Sequence, residues 1–102
     1  MKMILHEDKT FDNIDYADKD VSNREFVKCL FHACNFSNSN ISGNEFVECQ
    51  FIDCNLSLTK FGTASLKTVF FKNCKLIVSF YFPGMAIIKI QRAKIMSSLS
   101  EN

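Results

Sequence analysis

The chain has 102 residues, 47% of them apolar and 23% charged, with a formal net charge of +1. That is the size of one domain, and the balance carries neither the basic bias of a nucleic-acid binder nor a DNA-like acidic coat. Five cysteines, an odd number, do not suggest the disulfide framework of a small secreted domain, and no apolar run reaches membrane-spanning length.

Residues 1–8 hold one short apolar run, Met3-Ile4-Leu5, before charge resumes at Glu7 and Asp8. The run is too short for a signal-peptide core, so a cytoplasmic location is expected by default. From Phe11 every fifth residue is large and apolar: Phe11, Tyr16, Val21, Phe26, Phe31, Phe36, Ile41, Phe46, Phe51, Leu56, Phe61, Leu66, Phe71 and Leu76. In a chain of this composition, so many matches at one fixed phase have a chance probability on the order of 10⁻⁵. A period of five fits neither a helix nor a flat strand, so the chain must turn once per repeat to bring the same position back to the interior. Met3, Ile4 and Leu5 are expected to cover the open end of this repeated segment. Two residues before each large position, from Cys29 onward, stand small or compact residues that include all five cysteines, Cys29, Cys34, Cys49, Cys54 and Cys74. A strand with two inward residues flanking one outward residue, followed by a two-residue corner, produces this pattern. Ser, Asn, Asp and Gly supply the corner chemistry at Asp12-Asn13, Ser22-Asn23, Ser37-Asn38 and Ser42-Gly43.

The segments Cys34-Asn35-Phe36-Ser37-Asn38, Cys54-Asn55-Leu56-Ser57-Leu58 and Cys74-Lys75-Leu76 resemble the motif of the pentapeptide-repeat family: a small residue, a polar one, Leu or Phe, then two variable residues. The resemblance implies an all-β fold, a right-handed quadrilateral β-helix with four repeats, or twenty residues, per coil. Fourteen repeats then make about three and a half coils over residues 9–78, between an N-terminal cap (1–8) and a C-terminal capping or dimerisation segment (79–102). Lys19 and Arg24 depart from the motif at positions the family keeps small, which predicts a distorted or exposed first coil.

A twenty-residue coil stacks Cys34, Cys54 and Cys74 in one column and Cys29 and Cys49 in the next. These read as buried thiols acting as small hydrophobes rather than as a metal or redox site. Phe11, Phe31, Phe51 and Phe71 form a core column, so no cofactor slot and no metal are expected. No catalytic residue is identified. His32 is expected to point outward beside Asp12 as a surface contact, with neither nucleophile nor pocket nearby. Asn35 and Asn55 lie one coil apart and are placed to form a side-chain ladder. Val27, Leu30, Val47, Ile52 and Phe70 occupy outward positions although apolar. They are either a contact patch or separate surface hydrophobes.

After Leu76 the five-residue rule stops. Pro83-Gly84 reads as a turn, and the stretch from Met85 to Leu99 reads as a helix or a strand-helix mixture, with a strand from Ala86 to Gln91 left open. Residues 1–58 carry five basic and ten acidic groups, whereas residues 59–102 carry seven basic and one acidic. That asymmetry suits head-to-tail or dimeric charge matching. The expected function is a non-enzymatic interaction or scaffold module, a homodimer through the C-terminal segment or the apolar face. Its protein partner is undefined, and no direct nucleic-acid or membrane contact is expected. The alternative implied by the resemblance is a DNA-mimicking, gyrase-binding protein linked to quinolone resistance, against which the short, electrically balanced rod argues.

Overall fold

A computed structural model of the chain describes residues 3–76 together with strands at 85–90 and 94–95; those two strands and Leu76 are described as backbone only. The strands, in chain order, are β1 (Ile4–Glu7), β2 (Thr10–Asp12), β3 (Arg24–Val27), β4 (Leu30–His32), β5 (Glu45–Val47), β6 (Gln50–Ile52), β7 (Asn55–Leu56), β8 (Ser65–Lys72), β9 (Lys75–Leu76), β10 (Met85–Ile90) and β11 (Lys94–Ile95). All pairing is parallel. β1, β3, β5 and β8 stack on one face and β2, β4, β6 and β8 on the next, with β10 on the far side of β8. β7, β9 and β11 make a third face, which the bridge from Asn35 to Asn55 extends toward the first coil. Bridges from Asp20 to Asn40 and from Asn40 to Lys60 mark the fourth. The register is twenty residues throughout this part, as in Phe11↔Phe31, Phe31↔Phe51 and Phe51↔Phe71. The expected quadrilateral β-helix is the observed fold.

Each repeat is strand then corner because its corner residue adopts the left-handed conformation. Asp8, Asn13, Asp18, Asn23, Lys28, Ala33 and Asn38 all have φ between 54° and 60°, and the five-residue spacing continues through Gly43, Glu48, Asp53 and Leu58. A left-handed residue turns the chain onto the next face without lengthening the loop. Asn and Asp tolerate it, whereas Leu58 and the β-branched Thr68 do so under strain. Side-chain oxygens fix several corners. Asn35 Oδ1 accepts from the Ser37 amide at 3.0 Å, and Asn55 Oδ1 accepts from the Ser57 amide at 3.0 Å. The two asparagines therefore stack in register, but each oxygen serves its own turn. Cross-coil side-chain bonds form at other positions, among them the corner pairs Asn38 to Asp18 at 2.8 Å and Asn73 to Asp53 at 2.6 Å.

Inside, Phe31, Phe51 and Phe71 are no more than 1% exposed, with centroids 4.7 Å and 5.2 Å apart in near-parallel stacks. Phe26 stacks on Phe46 at 5.1 Å and meets Phe31 edge-on at 5.2 Å. All five cysteines are buried and free. Each thiol donates to the carbonyl of the residue twenty-three positions earlier, as in Cys54 to Phe31 at 3.2 Å and Cys74 to Phe51 at 3.1 Å. Thr59 Oγ1 does the same toward the Phe36 carbonyl at 2.8 Å. A small residue with a donor is thus the apt occupant: it fills the narrow space and couples one coil to the next.

Two expectations about the ends change. The segment expected to cap the start is itself part of the coil, because β1 pairs with β3 in register, Ile4 beside Arg24 and His6 beside Phe26. His6 takes the place of a core aromatic, stacked on Phe26 at 4.9 Å. At the other end, stacking does not stop at 78. β10 pairs with β8 and β11 with β9, now mostly at a nineteen-residue offset that irregularities between Met85, Ile87 and Ile88 absorb. Residues 85–90 are strand, not helix. The Pro83-Gly84 turn and residues 96–102 lie outside the described residues. The long β8 crosses a corner at Thr68.

Candidate functional site

With the interior filled, the outward positions of the faces are where a partner can be met. On the first face Val27 lies beside Val47, both half-buried, with exposed Lys67 next in the column. On the second, Leu30 and Phe70 are half-buried but stand on either side of exposed Gln50. Ile52 is also half-buried, between His32 and Lys72. The five apolar residues therefore flank one edge of the rod, with Val27 and Val47 in contact range and the others interleaved with polar side chains. The exposed corner residues Lys28 and Glu48 run between the two columns.

His32 projects outward as expected. Its Nδ1 lies 2.7 Å from Asp12 Oδ1, and its Nε2 lies 3.6 Å from Asp53 Oδ2. The hydrogen bond with Asp12 raises its pKa above the ordinary imidazole value, and the charge of Asp53 adds to this. Asp53 was not anticipated, because it sits on the corner rather than in the strand column above His32. The pair of carboxylates holds the ring without presenting a nucleophile. Among the described residues, no three His, Cys, Asp or Glu side chains converge where a metal ion would be held. Burial pushes the Cys49 thiol up to about 11, and the thiols of Cys34 and Cys74, above and below, push Cys54 up as well. Cys49 and Cys54 are protonated packing groups, unsuited to nucleophilic work, whereas the hydrogen bond with Cys54 lowers Cys34 to about 7 and lowers Cys74 as well.

The N-terminal end is the region that repeat-counting missed. Ile4 and Leu5 are 53% and 54% exposed, and Ile14 is 40% exposed. Arg24, at a position expected to be small, is half-buried, with Nη1 3.2 Å from His6 Nε2. Its backbone amide donates to Asn44 Oδ1 at 2.9 Å, and Asn44 Nδ2 in turn reaches the Val21 carbonyl at 2.5 Å. The side chain of Asn44 thereby repairs the coil beneath the misfit. Burial, followed by the charges of Arg24 and Lys9, lowers the His6 pKa.

Among the described residues no helix is long and apolar enough to cross a membrane. No curated protein matches the sequence significantly. Among solved structures, one similar to this chain is a trypsin-treated form of QnrB1, described as a plasmid-mediated fluoroquinolone resistance protein. It is 17% identical with a TM-score of 0.44, and the match covers 90% of this chain and 60% of that one. The family profile described as "Pentapeptide repeat region" matches residues 24–98. That span contains the Cys columns, the Phe column from Phe31 onward and the strands β10 and β11 that the five-residue count left out, and the chain belongs to the pentapeptide-repeat family.

Proposed function

We propose that this chain is a non-enzymatic, cytoplasmic interaction module that binds a protein partner, a second copy included, through the outer strand faces around Val27, Leu30, Val47, Ile52 and Phe70. The observation that carries this is the Val27–Val47 column: two adjacent apolar side chains on outward strand positions, where a solvated face would carry polar ones. Five unpaired, buried thiols fit a reducing compartment. His32 is engaged by Asp12 and Asp53 with no nucleophile beside it, which favours a structural ion pair over catalysis. Sedimentation velocity of the wild type and of Phe70→Ser and Val47→Ser tests the assignment. A dimer that dissociates in either variant supports it, and association unchanged in both removes this face as the interface. DNA mimicry is the weaker reading, since the acidic residues concentrate in the first coil while residues 59–76 carry Lys60, Lys67, Lys72 and Lys75 and no acid. Gyrase supercoiling with added protein is expected to proceed unchanged.

A further inference from the structure

We propose that the N-terminal end of the rod is a docking face for the C-terminal end of a second copy of this chain, so that copies stack head to tail with the coil continuing across the junction. This surface is separate from the strand-face patch and does not depend on it.

Three observations converge there. The first is unfinished packing. Ile14 heads the inward column of Cys34 and Cys54 yet is 40% exposed where they are 2% exposed, and Ile4, 53% exposed, stands over half-buried Arg24 in a column that turns inward below it at Asn44 and Ala64, each 1% exposed. Phe11 and Tyr16 are half-buried above Phe31 and Phe36, which are 1% and 2% exposed. Among the described residues, apolar groups at positions that the repeat directs to the interior are left partly or largely exposed at this rung.

The second is an unused backbone edge. The amides of Leu30, Asn35 and Asn40 donate to the carbonyls of Lys9, Ile14 and Lys19 one coil earlier, at 2.9, 3.0 and 2.9 Å. The equivalent amides of Thr10, Asp15 and Asp20 point to the end of the rod, where no described strand pairs with β1 or β2 beyond β3 and β4. Such an edge is a template for another parallel strand. The outer edges of β10 and β11 run in the same sense, so a copy placed head to tail repeats the pairing found at every coil step.

The third is charge, which selects the partner. Residues 3–22 carry six acids, Glu7, Asp8, Asp12, Asp15, Asp18 and Asp20, all exposed, against Lys9 and Lys19. At the far end Lys67, Lys72 and Lys75 are exposed with no acid among residues 59–76, and β10 and β11 contain Lys89 and Lys94. Two N-terminal ends brought together would set acid against acid, whereas head to tail sets acid against base. The end of the rod is a single coil of twenty residues, at the low end of the ~20–30 residues a side of a standard interface. The expected association is therefore weak, reversible and open-ended, because a heterologous contact without rotation to closure propagates.

The experiment is sedimentation equilibrium and light scattering across protein concentration, on wild type, on the double reversal Glu7→Lys/Asp20→Lys, and on Phe70→Ser, with circular dichroism melts to confirm folding. For wild type the mean mass should climb with concentration without a plateau at dimer. Association should weaken about tenfold or more as NaCl rises from about 50 to about 500 mM. The double reversal should lose association in the same low-salt buffer, and mixed with wild type it should shorten the assemblies, since its own C-terminal end still docks. Ile14→Ser, which removes apolar surface and no charge, should weaken assembly while keeping the salt dependence. Phe70→Ser should leave stacking intact, which separates this surface from the strand-face patch. A monomer at all concentrations, or a closed dimer indifferent to the double reversal, overturns the proposal.

Discussion

Truncating Phe51 to Ala removes the centre of the aromatic column and tests the architecture most directly. Phe51 is fully buried, stacked on Phe31 at 4.7 Å and Phe71 at 5.2 Å, and edge-on or tilted against Phe36 at 5.7 Å and Phe46 at 5.6 Å. Truncating a buried Phe to Ala costs about 3–5 kcal/mol, and the loss of four ring contacts places Phe51 toward the upper end of that range. That approaches the lower end of the ~5–15 kcal/mol stability of an ordinary domain, so the variant should be largely unfolded or melt far below wild type. Phe11→Ala is the internal control. Phe11 is half-buried at the end of the same column, with Phe31 at 5.0 Å as its one stacked phenyl neighbour. Its truncation should cost about 1–2 kcal/mol, since only part of the side chain is removed from water. Urea unfolding followed by far-ultraviolet circular dichroism measures both. Equal losses for the two variants, or a loss under about 1 kcal/mol for Phe51→Ala, would refute a continuous packed column.

The corners make opposite predictions at two positions. Leu58 is 64% exposed at φ 58°, and Leu58→Asn should stabilise by about 1 kcal/mol in the same urea assay, because Asn accepts that conformation. Gly62, at φ 50°, would place a Cβ 2.5 Å from Ser42 Cβ, so Gly62→Ala should destabilise by about 1–3 kcal/mol. The two histidines pull in opposite directions with pH. His32 has a raised pKa, so its contribution is complete below the unfolded value of about 6.5 and fades as pH climbs through the higher folded value. His6 has a lowered pKa, so protonation as pH falls below about 6.5 destabilises the fold. Proton NMR titration should find His32 titrating above His6, and Asp12→Asn should bring His32 down. The five buried thiols should resist a thiol reagent in the native protein and all react once denaturant is added, and fast labelling of Cys49 in the native state would contradict its packing.

The columns were legible because a fivefold spacing survives one point of view only: Phe31, Phe51 and Phe71 recur at the coil length, and no helix or flat strand does this. The thiol role was legible for the same reason, though the carbonyl each thiol meets twenty-three residues earlier was not, since that depends on how the corner offsets one strand from the next. β10 was left open between helix and strand because of a slip in phase. Met85, Ile90 and Ile95 keep the five-residue step, but the nineteen-residue offset moves them one place from the earlier series, and against a fixed phase they look like a helix face. His6 escaped because it lies one five-residue step before Phe11 and is not an apolar residue, although its flat ring rests on Phe26. The surface was least legible. Val27 and Val47 meet as the coil length predicts, but Gln50 between Leu30 and Phe70 divides the remainder. Asp53 reaches His32 from a corner, whose direction the pattern does not encode.

The corner spacing also governs how such a chain can grow. Five extra residues preserve which side chains face in, but rotate everything after them by one wall, so that Phe51 would rest on Phe36 instead of Phe31. One to four extra residues would turn interior groups out unless a bulge like that near Ile87 takes up the difference. Duplicating residues 24–43 changes no vertical neighbour and lengthens the rod by a rise of ~4.8 Å, making whole-coil duplication the gentlest genetic route to a longer member of the family.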